Sequence, residues 1–175
     1  YERLQKKKAG LIAKRAGDVL LSAILIVLLS PVLLVISLVI VCDSRGGVFF
    51  RQKRVTTYGR VFRIFKFRTM VSNAESLGSQ VTVSNDSRVT RCGCFLRKYR
   101  LDELPQLFNI FVGEMSFVGT RPEVPRYVQA YTEEMRATLL LPAGVTSLAS
   151  IEFKDEDTLL QNADDADRAY VEEIL

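Results

Sequence analysis

The chain has 175 residues, 48% of them hydrophobic, and a formal net charge of +4. This length fits one domain that can bury a core without disulfides or a structural metal. The chain contains no histidine, which excludes histidine-based triads and histidine-ligated zinc motifs and leaves acid–base or nucleophilic chemistry to Asp, Glu, Lys, Tyr, Ser or Cys.

The charges are unevenly distributed along the chain. Residues 1–100 carry 19 Lys/Arg against 5 Asp/Glu, whereas residues 101–175 carry 5 against 15. The basic part therefore predicts contact with something anionic, such as lipid headgroups, phosphates or nucleic acid. The three cysteines form no Cys-x-x-Cys motif, and their odd number fits a reducing compartment.

A basic segment at residues 2–15 precedes an uncharged run, Val19–Cys42. As a helix this run would be about 36 Å long, enough to cross a hydrocarbon core of about 30 Å. Ser30-Pro31 lies at its midpoint and predicts a bend or break, because proline removes an internal hydrogen bond. Basic residues flank both ends, which favours a re-entrant helix with both ends on the cytoplasmic side. A kinked transmembrane helix is the alternative.

Two strands, Val48–Val55 and Arg60–Met70, are predicted around a turn at residues 56–59. Alternation along the second strand puts Lys66 and Arg68 on one face. Two cations spaced in this way could grip a diphosphate. Nucleic-acid binding and a basic strand lying on a membrane surface are equally compatible with the spacing.

Two adjacent acidic residues, Asp102 and Glu103, stand at the start of a predicted buried helix and follow a basic cluster that includes Arg97. The unpaired N–H groups and positive dipole end of a first helical turn favour ionised carboxylates and anionic ligands. Neighbouring helical positions point about 100° apart, so one carboxylate could face a reacting centre while the other holds a metal or moves a proton. Acidic residues are also ordinary helix caps, so the pair alone does not establish a catalytic site.

The remaining predicted elements follow this helix. Arg121 stands before Pro122 in a loop, where a restricted backbone suits a preorganised phosphate contact, although a surface turn is the alternative. A helix is predicted over Glu123–Leu141, a short strand or loop over Ser147–Phe153, and a final helical pattern within Asp155–Leu175.

Taken together, these motifs resemble the monotopic phosphoglycosyl transferases, a bacterial sugar transferase family that moves a phospho-sugar from a nucleotide diphosphate sugar to a polyprenol phosphate. The resemblance extends over nearly the whole chain. It rests on eight segments in order: Lys14-Arg15-x-x-Asp18, Ser30-Pro31, Phe50-Arg51-Gln52-Lys53-Arg54, Lys66-Phe67-Arg68-Thr69-Met70, Asp86-x-Arg88-x-Thr90, Leu101-Asp102-Glu103-Leu104-Pro105-Gln106-Leu107, residues 113–119 and Arg121-Pro122.

The resemblance implies transfer of a sugar 1-phosphate from a UDP-sugar to a polyprenol phosphate such as undecaprenyl phosphate, with release of UMP. Asp102 would attack the sugar-linked phosphorus and carry the phospho-sugar, and Glu103 would bind Mg²⁺ together with Asp102. The positions that match cations facing the substrate phosphates are Lys66, Arg97, Arg121 and, as a weaker candidate, Arg68.

The same resemblance implies a small mixed α/β membrane-associated domain on the cytoplasmic face of the bacterial inner membrane. Residues 1–43 would form a basic N-terminus and a monotopic re-entrant helix, and residues 44–175 a catalytic domain with a β-hairpin and several surface helices. Its partners would be the UDP-sugar, the polyprenol phosphate and membrane lipids, with no nucleic acid, in exopolysaccharide or other glycoconjugate biosynthesis. The usual C-terminal residues of the family are expected to be missing. The oligomeric state is left open, with a homodimer as one option.

The chain departs from the family pattern in three places. Thr56 replaces a usual glycine, Thr120 replaces the first proline of Gly-Pro-Arg-Pro, and residues 141–147 replace Lys-Pro-Gly-Ile-Thr-Gly. The last two lie where the nucleotide and sugar are expected to be recognised, so the sugar is not fixed by the sequence. Two rival functions remain open: a membrane-bound nucleotide-sugar hydrolase, and a non-catalytic membrane-tethered basic binding module.

Overall fold

A computed structural model of the chain describes residues 8–74, 86–147 and 151. It combines helices with two small sheets, as the sequence predicts. The elements are α1 (Lys8–Asp43), the antiparallel hairpin of β1 (Phe49–Val55) and β2 (Val61–Phe67), α2 (Arg91–Lys98), α3 (Gln106–Val112), α4 (Pro125–Val128), and a parallel pair of β3 (Ser116–Val118) and β4 (Gly144–Thr146). Short 3-10 turns occupy Thr57–Gly59, Leu101–Glu103 and Met135–Leu140.

Within the described residues, α1 is the single helix that is long and apolar enough to cross a membrane. Its apolar side chains, such as Val27 and Leu28, are mostly exposed, which distinguishes it from the core helix of a soluble protein. The helix continues through Pro31, so the predicted break is wrong as an interruption of the helix. Proline leaves the Val27 carbonyl without its usual partner, and the Ser30 hydroxyl donates to that carbonyl (2.8 Å).

The N-terminal end of α1 is attached to the rest of the fold by a polar network. Asp18, which is buried, forms an ion pair with Lys14 (3.2 Å) and accepts a hydrogen bond from the Ser116 hydroxyl (2.8 Å) in β3. Lys14 also donates to Ser116. Arg15 donates to the Ile110 carbonyl (2.6 Å) near the end of α3, where carbonyls lack helical partners. The Lys-Arg-x-x-Asp motif thus docks α1 onto β3 and α3.

The C-terminal end of α1 is attached as well. The Asp43 carboxylate accepts a hydrogen bond from the backbone N–H of Cys92 in α2 (3.1 Å). The buried Arg68 guanidinium, just after β2, donates to the carbonyls of Ser44 (2.7 Å) and Arg45 (2.6 Å). Both ends of α1 are therefore held by the same folded unit.

Two apolar clusters form the core, and each half of α1 covers one of them. The half before Pro31 packs Leu25, Ile26 and Leu29 against the first cluster, and the half after it contributes to the second. The buried members of the first are Phe62, Ile64, Leu107, Ile110 and Met115, and those of the second are Ile36, Ile40, Phe67 and Leu96.

The predicted helix over Glu123–Leu141 is wrong in its extent. Helix α4 ends at Val128, and a separate 3-10 turn begins at Met135. The Thr132 hydroxyl oxygen accepts a hydrogen bond from the Met135 N–H (3.3 Å), which supports the start of this second turn. The apolar residues whose spacing predicted one helix are divided between the short helix α4 and the separate 3-10 turn.

The parallel pair β3–β4 was not predicted. It requires a close backbone approach, because a Cβ on Gly119 would collide with Pro142 and Gly144. The predicted segments Ser147–Phe153 and Asp155–Leu175 lie largely or wholly outside the described residues.

Replacing Asp18 by alanine should loosen the docking of α1. Loss of the charge-assisted bonds should lower the free energy of unfolding by about 2–3 kcal/mol and the unfolding midpoint by about 4–10 °C. Thermal unfolding of the detergent-solubilised protein measures this. Glu133→Ala is the control, because the Glu133 side chain is 93% exposed, and an equal shift in both variants would contradict the docking function of Asp18.

Candidate active site

The acidic pair lies in the 3-10 turn Leu101–Glu103, directly before α3, and not in the first turn of an α-helix as predicted. Pro105 gives the physical reason. An α-helix from Leu101 would need an N–H at Pro105 to bond the Leu101 carbonyl, and proline has none. The Leu104 N–H bonds that carbonyl instead (3.3 Å), which is the tighter 3-10 pattern.

A residue with a left-handed backbone conformation stands directly before this turn. Arg100, directly before Leu101, has φ of 55°, a conformation that costs a non-glycine residue about 1–2 kcal/mol. Arg100 lies between the end of α2 and the acidic turn and is the N-cap of that turn. No sequence signal marks this position, because arginine is not a residue that favours left-handed backbone.

Glu103 forms an ion pair with Lys66, with 2.9 Å between Oε1 and Nζ. The pair joins the acidic turn to strand β2. Burial alone would raise the pKa of the Glu103 carboxyl, but the charge and hydrogen bond of Lys66, together with Arg100 and Arg121, hold that pKa below its usual value. Glu103 is therefore ionised at neutral pH.

Asp102 has a different environment. Its side chain is buried, and its Oδ1 atom has no hydrogen-bond partner among the described residues. Burial raises the pKa of the Asp102 carboxyl; the positive charges of Lys66 and Arg97 oppose this shift, and the negative charge of Glu103 adds to it. Two adjacent carboxyls with pKa values displaced in opposite directions are typical of a functional site.

Three of the four predicted phosphate-binding cations lie around this pair. Lys66 bonds Glu103, Arg97 acts electrostatically on Asp102, and Arg121 acts on Glu103. The Nε of Arg97 also donates to the Thr69 hydroxyl (3.1 Å). The acidic pair is therefore surrounded by positive charge suited to a diphosphate.

Arg68 is placed elsewhere. Strand β2 ends at Phe67, so the alternation that predicts a shared face for Lys66 and Arg68 stops before Arg68. Four hydrogen bonds from its guanidinium go to Ser44, Arg45 and Ser72. Arg68 therefore holds the C-terminal end of α1 to the rest of the fold. These bonds do not support the predicted phosphate contact.

Asn109 is a residue of the site region that sequence reasoning missed. It is completely buried in α3 and bonds the backbone of β2, which within the described residues pairs with β1 alone. Its amide donates to the Arg63 carbonyl (3.0 Å) and its oxygen accepts from the Phe65 N–H (2.8 Å). Because Phe65 directly precedes Lys66, Asn109 fixes the strand that carries Lys66 relative to the helix that follows the acidic pair. The sequence signal that could have identified Asn109 is a single polar residue among the apolar residues of the predicted helix.

The three departures from the family pattern are in contact with one another. The buried Thr56 hydroxyl donates to the Glu114 carbonyl (3.0 Å) and accepts from the Ala143 N–H (3.2 Å). Thr120 pairs with Ala143 as an isolated parallel bridge, and its carbonyl accepts from the Gly144 N–H (2.7 Å). These substitutions therefore form one packed region next to the loop that carries Arg121.

The acidic pair fits a magnesium ion. No group of three or more His, Cys, Asp or Glu side chains suited to a metal occurs in the described part of the chain. Mg²⁺ is commonly held by one or two carboxylates, with waters and substrate phosphates completing its octahedral shell. Asp102 Oδ1, buried without a partner, and Glu103 provide carboxylate ligands of this kind.

The model of the bacterial sugar transferase family matches residues 9–175. The chain belongs to this family. One relative is the UDP-N-acetylgalactosamine-undecaprenyl-phosphate N-acetylgalactosaminephosphotransferase of Aeromonas hydrophila, 45% identical over 122 residues, which are 70% of this chain and 29% of that protein. Another is the UDP-glucose:undecaprenyl-phosphate glucose-1-phosphate transferase of Klebsiella pneumoniae, 39% identical over 146 residues, or 81% of this chain and 31% of that protein.

A shorter relative is the putative undecaprenyl-phosphate N-acetylgalactosaminyl 1-phosphate transferase of Bacillus subtilis strain 168. It is 38% identical over 133 residues, which are 75% of this chain and 74% of that protein. By contrast, the match with the Aeromonas and Klebsiella relatives spans about three tenths of their length.

The environment of Asp102 predicts that the buried carboxylate destabilises the fold. Because the pKa of Asp102 is raised in the folded state, its proton is favoured there, and ionisation above that pKa costs stability. Asp102→Asn should therefore raise the unfolding midpoint at pH 7.5 by about 2–6 °C. The gain should shrink as the pH falls through the raised pKa and wild-type Asp102 becomes protonated. Thermal unfolding at pH 7.5 and pH 5 measures both effects.

Asp86 is the matched control, because the pKa of its carboxyl is shifted in the opposite direction. A hydrogen bond from Arg88 (2.6 Å) lowers the pKa of Asp86, although its burial works the other way. Its charge stabilises the fold above the unfolded-state pKa, so Asp86→Asn should lower the midpoint at pH 7.5. A loss of stability in Asp102→Asn comparable to that in Asp86→Asn would contradict the destabilising burial of the Asp102 carboxylate.

Proposed function

We propose that the protein transfers a sugar 1-phosphate from a UDP-sugar to undecaprenyl phosphate and releases UMP, through a covalent phospho-sugar on Asp102. The observation that carries the proposal is the buried Asp102 carboxylate, whose Oδ1 is unpaired while the neighbouring Glu103 is held by Lys66. The names of the relatives support undecaprenyl phosphate as acceptor.

The first step forms a bond between a carboxylate oxygen of Asp102 and the sugar-linked phosphorus of the donor. The bond from that phosphorus to the bridging oxygen breaks, and UMP leaves with the electron pair. Lys66, Arg97 and Arg121 stabilise the charge that develops on the leaving phosphate. A raised pKa makes Asp102 a more basic, and hence stronger, nucleophile once it is ionised.

In the second step a phosphate oxygen of the acceptor attacks the same phosphorus. The Asp102–phosphorus bond breaks, which regenerates the carboxylate and yields a polyprenyl diphosphate sugar. Asp102 and Glu103 would hold Mg²⁺, which when bound neutralises part of the diphosphate charge. Because Lys66 keeps Glu103 ionised, the Glu103 carboxylate would be available to hold the ion.

The proposal includes a re-entrant arrangement of α1 with both ends on the cytoplasmic face. The support is that Arg15 and Asp18 near one end, and Asp43 at the other, bond the same folded unit. A helix that crossed the bilayer would separate these anchors by a hydrocarbon core of about 30 Å. Pro31 lies between the two halves and is the natural site of a bend.

The transfer reaction predicts acceptor-dependent release of UMP. With Mg²⁺ and the correct UDP-sugar, continuous UMP release should require undecaprenyl phosphate, and Asp102→Asn should lower kcat about 10³-fold or more, because the nucleophile is lost. Glu133→Gln, on an exposed residue, should retain full activity. Chelation with EDTA should stop the reaction and excess Mg²⁺ should restore it. Sustained UMP release without any lipid acceptor would instead favour the hydrolase.

The re-entrant arrangement predicts that residues before and after α1 are accessible from the same side. In a variant without the native cysteines, single cysteines at Lys8 and Tyr58 should both react with an impermeant maleimide in inside-out vesicles and not in right-side-out ones. Lys8 begins α1, and Tyr58 is 68% exposed at the tip of the hairpin. Labelling of the two positions from opposite sides would contradict the arrangement.

A further inference from the structure

The loop that carries Arg121 is held to strand β1 through the two residues that follow it. The Pro122 carbonyl accepts a hydrogen bond from Nη1 of Arg54 (3.0 Å). The Glu123 carbonyl accepts one from the backbone N–H of Val55 (2.8 Å). The buried Glu123 carboxylate also lies 3.9 Å from Nη1 of Arg54. Two consecutive residues of β1 thus bond two consecutive residues of the loop.

The Arg54 guanidinium is itself oriented by a neighbour on the same strand. Its Nε and Nη2 atoms both donate to Oε1 of Gln52, at 3.1 and 2.7 Å. Because the guanidinium is a rigid planar fork, these two bonds direct its third nitrogen, Nη1, at the Pro122 carbonyl. The Arg54 side chain is only 20% exposed, so the contact with the loop is a charge-assisted hydrogen bond with limited access to water.

The loop is also anchored before Arg121. The Thr120 carbonyl accepts a hydrogen bond from the Gly144 N–H (2.7 Å), and Pro122 restricts the backbone of the residue before it. Arg121 therefore lies between two anchored residues. Its positive charge helps to lower the pKa of the Glu103 carboxyl, so the anchored segment presents Arg121 towards the acidic pair.

Arg54 and Lys66 lie on the same face of the hairpin. Lys66 is paired with Phe50 across the two strands, and directly paired side chains share a face. Phe50 and Arg54 are four residues apart on β1, so they also share that face. Lys66 bonds Glu103 (2.9 Å), whereas Arg54 bonds the loop. One face of the hairpin thus contacts both the acidic turn and the loop of the third cation.

We propose that Arg54 is a positioning residue of the transfer reaction, which holds Arg121 at the donor diphosphate by fixing Pro122 and Glu123; this rests on the proposed transfer from a UDP-sugar. Arg121 would stabilise the leaving phosphate of UMP, which departs in the first step. Arg54 therefore affects the first step and not the attack by the lipid acceptor. A displacement of Arg121 by about 1 Å is enough to lose much of its effect.

The two half-reactions give a readout that separates positioning from general damage to the fold. In a two-step transfer, kcat/KM for each substrate reports the step in which that substrate reacts. Arg54→Ala should lower kcat/KM for the UDP-sugar about tenfold or more and leave kcat/KM for undecaprenyl phosphate unchanged. Lys53→Ala is the matched control, because Lys53 is the adjacent cation of β1, exposed on the opposite face, and should change neither value.

A double-mutant cycle tests whether Arg54 acts through Arg121. In the Arg121→Ala background, Arg54→Ala should lower kcat/KM for the UDP-sugar less than about twofold, because the group that it positions is absent. Gln52→Ala removes only the acceptor that orients Arg54, so it should cause a smaller loss with the same dependence on Arg121. Thermal unfolding checks that the variants are folded, and Gln52→Ala carries the test if Arg54→Ala is not.

Hydrogen exchange gives a readout independent of turnover. Peptides that cover residues 119–124 should exchange faster in Arg54→Ala and Gln52→Ala than in the wild type, and at the wild-type rate in Lys53→Ala. Faster exchange reports local loosening of backbone hydrogen bonds. Unchanged exchange in both folded variants would overturn the proposal.

Two kinetic results would also overturn the proposal. One is an equal fall of both kcat/KM values in Arg54→Ala. The other is a loss in the Arg121→Ala background as large as in the wild type, which would mean that Arg54 acts on the substrate itself. Failure of the proposed function gives a different pattern: no UDP-sugar yields UMP even with the wild type, and the role of Arg54 in the reaction falls with it, while hydrogen exchange still reports whether Arg54 holds the loop.

Discussion

The ion pair between Lys66 and Glu103, 2.9 Å long, joins the β-hairpin to the turn that carries both acids, and the electrostatics of the site depend on it. Because Lys66 bonds Glu103, Glu103 is held ionised, while the buried Asp102 receives only part of the same positive charge and keeps a raised pKa. The pKa values of two adjacent carboxyls thus move in opposite directions, because burial dominates at Asp102, whereas the hydrogen bond from Lys66 and the positive charges around Glu103 together outweigh its burial. Asn109 maintains the arrangement by bonding β2 beside Lys66.

Attachment of α1 explains how such a site can work at a membrane. Lys14, Arg15 and Asp18 fasten one end of the helix to β3 and α3, and Asp43 and Arg68 fasten the other end to α2 and the end of β2. The exposed apolar side of α1 and the acidic turn therefore belong to one folded unit. This attachment fixes the position of Asp102 relative to the membrane helix, and such a fixed position would favour attack by a membrane acceptor on a phospho-sugar carried by Asp102.

The sequence predicted the local elements with strong patterns and missed features that depend on contacts between distant segments. The hairpin and the apolar helix follow from alternation and composition, and Asp102 and Glu103 are predicted as site residues from their resemblance to a known motif. The 3-10 turn depends on the missing N–H of Pro105, which could have been derived. The relocation of Arg68 and the bonds of Asn109 to β2 could not, because they depend on where β2 ends and on which helix packs beside it.

The central claim is that Asp102 carries the phospho-sugar, and intact-protein mass tests it most directly. The detergent-solubilised protein is incubated with Mg²⁺ and a panel of UDP-sugars without a lipid acceptor. The account predicts a mass gain of one phospho-sugar with the correct donor, absent in Asp102→Asn and removed when undecaprenyl phosphate is added. Undiminished mass gain in Asp102→Asn, or acceptor-dependent turnover with no adduct at any time point, would contradict it.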